Sequence, residues 1–484
     1  MLEARHVTFS YDGIQPVLRS IDLTLQRGET LLITGPTGSG KSTLAKFLCG
    51  FIPRIVRGEC SGVLSIDGDD ADSLTLTEIA RKVSLVQQDP ESQICTLTVS
   101  DEVAFGPENY LIKPEVMTRL VDSSLASIGS SHLAGRLTYA LSGGEKQRVV
   151  IASMLACQPD YLILDEPSSS LDQKGILQLG QILSELKKKN LGVICIEHHL
   201  EPFLPAADRV LSLSEGRLFP WAQDVGRRGG PFQNHSVLPI ETDALASMKN
   251  VSFAYADRPV IRRVTMAIHR GEVIALMGDN GSGKTTLLCL LDGLLNPLEG
   301  EICLGANSVK RLSKKDIAKK VAMVFQNPNN QIFERTVSRE QLLTLDVLGL
   351  KESRLTENSG ARLDEAGLAE FKDRNPFALS HGQKRRLNVC SAVVHDPDLY
   401  LFDEPFIGQD ERGQRFITNT IAERARTGGA CVVATHDLPF AAEYCSRLVF
   451  LENGSLLFDG RPESVFHRLE QTGRPEYSLG KVAS

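Results

Sequence analysis

At 484 residues the chain is roughly three times the usual domain size of about 150 residues, so two or three domains are expected and core volume is not limiting. Hydrophobic residues make up 42% and charged residues 23%, near ordinary soluble averages, which excludes a disordered, collagenous or disulfide-scaffold protein. The net charge of -7, from 53 basic and 60 acidic residues, argues against a nucleic-acid polymer or an anionic lipid surface as a general partner.

The opening MLEARHVTFSYDG alternates polar with apolar residues and lacks the apolar stretch of a secretory signal, so a cytoplasmic protein is expected. The ten cysteines are scattered, without a C-x-x-C pair, and read as buried thiols in a reducing compartment. Apolar runs such as Val149 to Cys157 fall well short of the roughly 20 residues that span a bilayer. Any membrane role must therefore come through a partner.

In chain order, the run LLIT at 31 predicts a buried strand, and Gly35-Pro-Thr-Gly38-Ser-Gly40-Lys41-Ser42-Thr43 follows it directly. The stretch Phe51 to Gly62, with its Pro, Arg and Gly residues, predicts a surface loop. The runs VSLV at 83, YLIL at 161 and VICI at 193 predict further strands buried on both faces, as in a parallel sheet. A helix is expected from Lys146 onward, and another over Lys174 to Asn190, where Ile176, Leu179, Leu183 and Leu186 recur at helical spacing.

The same order then recurs. Gly278-Asp-Asn-Gly281-Ser-Gly283-Lys284-Thr285-Thr286 repeats the glycine-rich loop, with Lys284 lying 243 residues after Lys41. Four later pairs, Gln88 with Gln326, Ser142 with Ser380, Asp165 with Asp403 and His198 with His436, are each 238 apart. The five-residue change falls in the Phe51 to Gly62 stretch. IALM, VAMVF, LYLF and CVVA repeat the four apolar runs. Between the copies, residues 221–243 are rich in Gly, Pro and polar residues and have no sustained period, so the expected organisation is a unit at 1–220, a linker at 221–243 and a unit at 244–484.

The pattern G-x-x-x-x-G-K-[ST] after a buried strand turns backbone N–H groups inward at a helix start, a cradle for phosphate. Lys41 and Lys284 would reach the β- and γ-phosphates, and the hydroxyls of Ser42 and Thr285 would ligate Mg²⁺. Two strands end in paired acids, Asp165-Glu166 and Asp403-Glu404. At the carboxyl end of a parallel sheet, Asp165 and Asp403 can bind the Mg²⁺ shell, while Glu166 and Glu404 can orient and deprotonate an attacking water. One strand later, His198 and His436 recur at the same offset and can touch the γ-phosphate.

Leu141-Ser142-Gly143-Gly144-Glu145-Lys-Gln-Arg and Leu379-Ser380-His381-Gly382-Gln383-Lys-Arg-Arg complete the set. With them, each unit resembles the ATP-binding cassette domain of ABC transporters over nearly the whole chain. The resemblance implies an α/β fold of two tandem P-loop NTPase domains, each a mostly parallel sheet core with a helical subdomain and an N-terminal antiparallel β part. It implies ATP and Mg²⁺ as ligands, Tyr11 and Tyr255 as the aromatics that stack on adenine, Gln88 and Gln326 as the glutamines that sense Mg²⁺, water and the membrane partner, and Asp172 and Asp410 as D-loop residues. It further implies that the cassettes pair head to tail within the chain. Site one would join Lys41, Ser42, Gln88, Asp165, Glu166 and His198 to Ser380, Gly382 and Gln383. Site two would join Lys284, Thr285, Gln326, Asp403, Glu404 and His436 to Ser142, Gly143, Gly144 and Glu145. Both sites keep a glutamate and a histidine, so two hydrolysis-competent sites are expected. His381 replaces a signature glycine, and Phe406-Ile-Gly-Gln-Asp410 stands where the first copy has Ser168-Ser-Ser-Leu-Asp172, so site one is expected to turn over more slowly.

Val324-Phe-Gln326-Asn-Pro-Asn-Asn-Gln331-Ile-Phe333, with Gln88-Asp-Pro-Glu-Ser-Gln93 and Val99-Ser-Asp-Glu-Val-Ala-Phe-Gly-Pro107, resembles the ATPases of energy-coupling factor (ECF) importers. That likeness implies an ATP-hydrolysing energy-coupling subunit peripheral to the cytoplasmic face of the membrane. Its partners would be a transmembrane coupling subunit and a small membrane protein that binds a vitamin, a vitamin precursor or a transition-metal ion. The second copy departs after Phe333, with Val337-Ser-Arg-Glu-Gln-Leu-Leu-Thr-Leu, so its docking groove is expected to differ. The fused ATPase of a sugar importer is the alternative. A soluble ribosome-associated tandem ATPase fits less well, because the linker carries only Arg227 and Arg228 as basic charges.

Overall fold

Alternation along the buried strands decides the architecture. Leu31 and Ile33 enter one hydrophobic core and Leu32 enters another. Tyr161 and Ile163 likewise part from Leu162 and Leu164, and Ile194 and Ile196 from Val193 and Cys195. A strand covered on both faces is apolar at every position, which is why these segments read as uninterrupted runs.

The computed structural model describes residues 1–36, 38–169, 171–198, 200–221, 244–350 and 353–478. Nearly all of the expected linker, residues 222–243, lies outside them, as do Thr37, Ser170 and His199 of the motifs. The chain divides into two compact units within the 222–243 stretch. In the first, a six-stranded sheet runs in the order Arg217–Pro220, Arg209–Ser214, Thr30–Thr34, Gly192–Ile196, Tyr161–Asp165 and Val83–Val86. The last five are parallel, and the outermost hairpin strand pairs antiparallel. In the second unit Ser455–Gly460, Arg447–Glu452, Val273–Met277, Ala430–Ala434, Leu399–Asp403 and Val321–Val324 repeat that order. All eight apolar runs are thus parallel strands.

One face of each sheet is covered by a smaller antiparallel sheet, built from Leu2–Ser10, Leu18–Leu25, Glu59–Ile66 and Asp69–Asp70 in the first unit, and from Ala246–Tyr255, Arg258–Ile268, Glu299–Leu304 and Asn307–Ser308 in the second. The other face meets a helical layer. Its members in the first unit are Val99–Asn109, Pro114–Ser127 and Gly143–Ala156; in the second they are Val337–Leu348, Ser353–Glu365 and His381–Ala392.

Four local expectations change. The helix expected from Lys146 begins at Gly143, because Ser142 caps it and Glu145 returns the bond to complete a capping box. The Phe51 to Gly62 stretch is not simply a surface loop: it holds a helical turn, Phe51–Arg54, that buries Ile52, and then enters the strand Glu59–Ile66. Trp221, placed at the start of the linker by its surroundings, donates its backbone N–H to Val210 O at 3.2 Å and packs against the first unit's core. The helix expected over Lys174 to Asn190 is Gln173–Lys188, capped by Asp172.

Candidate functional site

In each unit the glycine-rich loop leaves an interior strand and enters a helix, Lys41–Leu48 or Lys284–Leu291. The loop lies so close to the neighbouring strand that a Cβ on Gly35 would stand 2.0 Å from Leu213 O, and one on Gly278 2.1 Å from Leu451 O. With φ of 150° and 145°, both positions take glycine alone. The helix N-terminal amides are therefore held close to the strand ends. Lys41 Nζ donates to Gly35 O at 2.7 Å and Pro36 O at 3.0 Å; Lys284 Nζ donates to Gly278 O at 2.7 Å and Asp279 O at 3.3 Å. Each ammonium thus sits inside its own cradle.

The paired acids end the strands beside these loops. Ser42 hydrogen-bonds Asp165, and Thr285 Oγ1 donates to Asp403 Oδ2 at 2.7 Å. Burial pushes the Asp165 carboxyl up to about 6, assisted by Glu166, while Ser42 and Lys41 pull it back. Asp403 is raised by burial too. Hydroxyl and carboxylate oxygens are the donors a hard divalent cation takes, and the buried Asp165 Oδ1 accepts no hydrogen bond from any described residue, so the residues present fit Mg²⁺. The next residues, Glu166 and Glu404, adopt left-handed backbone at φ 49° and 47°. Such a conformation costs a non-glycine residue on the order of 1 kcal/mol or more and persists where neighbours enforce it. Here each glutamate N–H donates 2.9 Å across to the adjacent strand, to Ile196 O or Ala434 O.

The remaining polar groups converge differently in the two units. Glu166 is held on both oxygens, Oε2 accepting from Gln88 Nε2 at 2.6 Å and Oε1 lying 3.0 Å from His198 Nε2. In the second unit His436 Nε2 sits 3.4 Å from Glu404 Oε1, 3.2 Å from Lys284 Nζ and 3.3 Å from Asn280 Oδ1. Burial, and then the Lys284 ammonium, push His436 well below the ordinary histidine range. Burial pushes Glu404 up to about 8. Tyr11 reaches the loop helix through Thr43, hydroxyl to hydroxyl at 3.0 Å, and half of Tyr11 stays exposed; Tyr255 stands edge-on to Phe253 and is similarly open.

A family model described as ABC transporter matches residues 18–169 and 261–407. The chain belongs to the ABC transporter family. A Methanosarcina acetivorans relative, "Putative ABC transporter ATP-binding protein", is 32% identical over 96% of this chain and 87% of its own length. A Bacillus subtilis relative, "Putative HMP/thiamine import ATP-binding protein YkoD", is 32% identical over 98% of this chain and 93% of its own. The chain is an ATP-binding subunit of an ABC transporter: it binds ATP with Mg²⁺ and hydrolyses ATP to power transport. No helix among the described residues is long and apolar enough to cross a membrane.

Within each cassette the signature residues lie at the starts of Gly143–Ala156 and His381–Ala392. Ser142 and Ser380 are N-caps, and Glu145 and Gln383 bond back to them, so these side chains also serve the helix starts themselves. The Gly143, Gly144 and Gly382 amides remain at helix starts that favour an anion. The D-loop aspartates are caps as well: Asp172 and Asp410 accept from Gly175 N and Gly413 N, at 2.9 Å and 2.8 Å. After the glutamine loops, Glu102 Oε2 accepts the N–H groups of Cys95 and Thr96, both at 2.9 Å. Glu340 does the same for Phe333 and Glu334, at 2.8 Å and 2.6 Å. The sequence departure after Phe333 therefore keeps this loop closure and changes the residues around it.

Two residues that matter here were passed over by motif reading. Glu197 is fully buried beside the first cluster; it accepts from Ser168 N at 2.8 Å, and burial pushes it up to about 8. Arg385 is buried in the second cassette and donates to the backbone carbonyls of Glu404 and Gln326, with His381 Nε2 at 3.4 Å. In the repeat register they stand opposite Thr435 and Gln147. Comparing the two copies position by position is the signal that finds them.

Proposed function

We propose that the chain is the energy-coupling ATPase of an ECF-type importer, peripheral to the cytoplasmic face of the membrane. It would drive a transmembrane coupling subunit and a small membrane component that binds a vitamin, a vitamin precursor or a transition-metal ion. The observation that carries this reading is the likeness, over 98% of the chain, to a relative whose name gives it HMP/thiamine import. The glutamine-loop sequences Gln88 to Gln93 and Gln326 to Phe333 support it.

In the proposed cycle, the phosphates of ATP lie in the cradles of Gly35, Gly38, Gly40, Lys41 and Thr43, and of Gly278, Gly281, Gly283, Lys284 and Thr286, with adenine against Tyr11 or Tyr255. The signature residues of the opposite cassette, Ser380, Gly382 and Gln383 or Ser142, Gly143, Gly144 and Glu145, close over each nucleotide. Ser42 with Asp165, and Thr285 with Asp403, would hold Mg²⁺, which when bound neutralises phosphate charge. Glu166 and Glu404 accept the proton of the attacking water, and His198 and His436 face the γ-phosphate. Gln88 and His198 fix the two oxygens of Glu166, so the base is oriented before the nucleotide arrives. Closure favoured by two ATP molecules, and lost on hydrolysis, supplies the differential affinity that moves the membrane subunit.

Affinity purification of the chain in mild detergent tests the reading. Recovery of a transmembrane protein together with a small integral membrane protein is expected. Recovery of a membrane dimer with a separate external binding protein would instead make this the fused ATPase of a sugar importer, and recovery of ribosomes without membrane protein would overturn both.

A further inference from the structure

The second phosphate loop is held by the C-terminal end of the chain. Asp279 follows Gly278 in the loop, and its carbonyl is one of those that Lys284 Nζ meets. Its carboxylate is gripped from outside the loop: Tyr477 Oη donates to Oδ1 at 2.7 Å, and Arg474 Nη1 donates to Oδ2 at 3.1 Å. Both partners are themselves fixed. Tyr477 is wholly buried, edge-on to Phe450 at 4.9 Å between ring centres. Arg474 also pairs with Glu452 and lies over the Phe450 ring at 5.4 Å. The helix before them, Pro462–Gln471, buries Val465, Phe466 and Leu469 in the cassette core, so the hook has a firm base.

Charge makes this contact more than packing. A carboxylate carried on a phosphate loop opposes the anion that the loop serves, and a guanidinium and a phenol on that carboxylate offset the repulsion while fixing the loop. The first cassette is built otherwise. In its loop Pro36 stands where Asp279 does, and proline offers no side-chain acceptor.

We propose that Arg474 and Tyr477 are positioning residues for the second phosphate loop, setting the ATP affinity of the second cassette's loop and leaving the first cassette's loop untouched. The inference rests on the reading that Lys41 and Lys284 hold ATP. Equilibrium binding of a fluorescent trinitrophenyl-ATP to the full chain tests it, with one loop silenced at a time. In the Lys41→Ala chain, which reports the second loop, Tyr477→Phe keeps the buried ring and removes only the hydroxyl, and Arg474→Gln removes the charge. Each is expected to weaken binding about 3- to 10-fold, part of what a hydrogen bond to a charged group is worth. In a Lys41→Ala, Asp279→Ala chain, Tyr477→Phe is expected to add nothing further. In the Lys284→Ala chain, which reports the first loop, neither change is expected to matter.

Unchanged second-loop affinity in both Tyr477→Phe and Arg474→Gln would overturn the proposal. So would an equal loss at both loops with a matching fall in nucleotide-free melting temperature, because that is the mark of a general structural role. Nucleotide binding that survives in the Lys41→Ala, Lys284→Ala double variant would instead overturn the reading of the loops on which the proposal stands.

Discussion

The two cassettes share strand order, loop geometry and left-handed glutamates, yet the helix behind the signature serine is tied to its surroundings in two ways. In the first cassette Gln147 lies buried on that helix, and neither atom of its amide finds a hydrogen-bond partner among the described residues. In the second, Arg385 occupies the register position and joins the glutamine loop, the backbone of Glu404 and the His381 ring. Burial pulls the guanidinium down to about 10, still charged at neutral pH, while the nearby Glu404 and Asp403 carboxyls pull the other way. The neighbouring loop follows suit. Leu171 lies against Gly144 in the first cassette, whereas Gln409 donates to Gly382 O at 3.2 Å in the second. A duplicated unit can thus keep its phosphate chemistry and still change how its signature helix is linked to its glutamine loop.

The comparison breaks most readily at the bases. Glu166→Gln with Glu404→Gln in one chain is expected to lower ATP turnover about 10²- to 10⁴-fold, the usual worth of a general base. The single variants should leave unequal residual rates in a steady-state phosphate-release assay. Glu404→Gln should leave less activity, since the His381-bearing signature would serve the Glu166 site. Equal residual rates would erase the proposed asymmetry. Next in size, Gly35→Ala and Gly278→Ala should both abolish measurable nucleotide binding in a filter or fluorescence assay, because the added methyl meets a backbone carbonyl that cannot retreat. A large difference between these two would show that the cradles are less alike than their geometry.

Smaller effects sharpen the contrast. Arg385→Met leaves the carbonyls of Glu404 and Gln326 without their donor and should cost about 1–3 kcal/mol in urea denaturation of the second cassette. Gln147→Met, which removes an amide that lacks partners among the described residues, should be neutral or stabilising in the first. The smallest signal is a slope. Burial raises Glu197 from about 4.5 in the unfolded chain to about 8, so between those values the native state holds a proton that the unfolded state has lost. Stability should therefore fall as pH rises through that window, and Glu197→Gln should flatten the fall in melting temperature without nucleotide.

The parallel strands were legible because a strand covered on both faces leaves no polar position to interrupt it. The cradles were legible because glycine spacing is imposed by close backbone approach. The backbone strain at Glu166 and Glu404 leaves no trace in composition, since it is enforced by bonds to Ile196 and Ala434 far along the chain. An arginine in a helix such as Arg385 reads as a solvated charge until the fold buries it. Asp279 and Tyr477 are 198 residues apart, beyond any local pattern. The early start of the signature helix was obscured by paired glycines, which disfavour helix interiors, although Ser142 and Glu145 at capping-box spacing do announce it.

Each hydrophobic core draws its buried residues from one side of the 222–243 stretch alone. A protease cut there should release two halves that stay folded, and two separately translated genes could supply the same pieces. What the single polypeptide adds is dosage: the halves are made one to one, and a tether keeps each at an effective concentration on the order of millimolar for the other. If the halves pair as proposed, cassettes that differ as Gln147 and Arg385 do are protected in this way from assembling as two like halves.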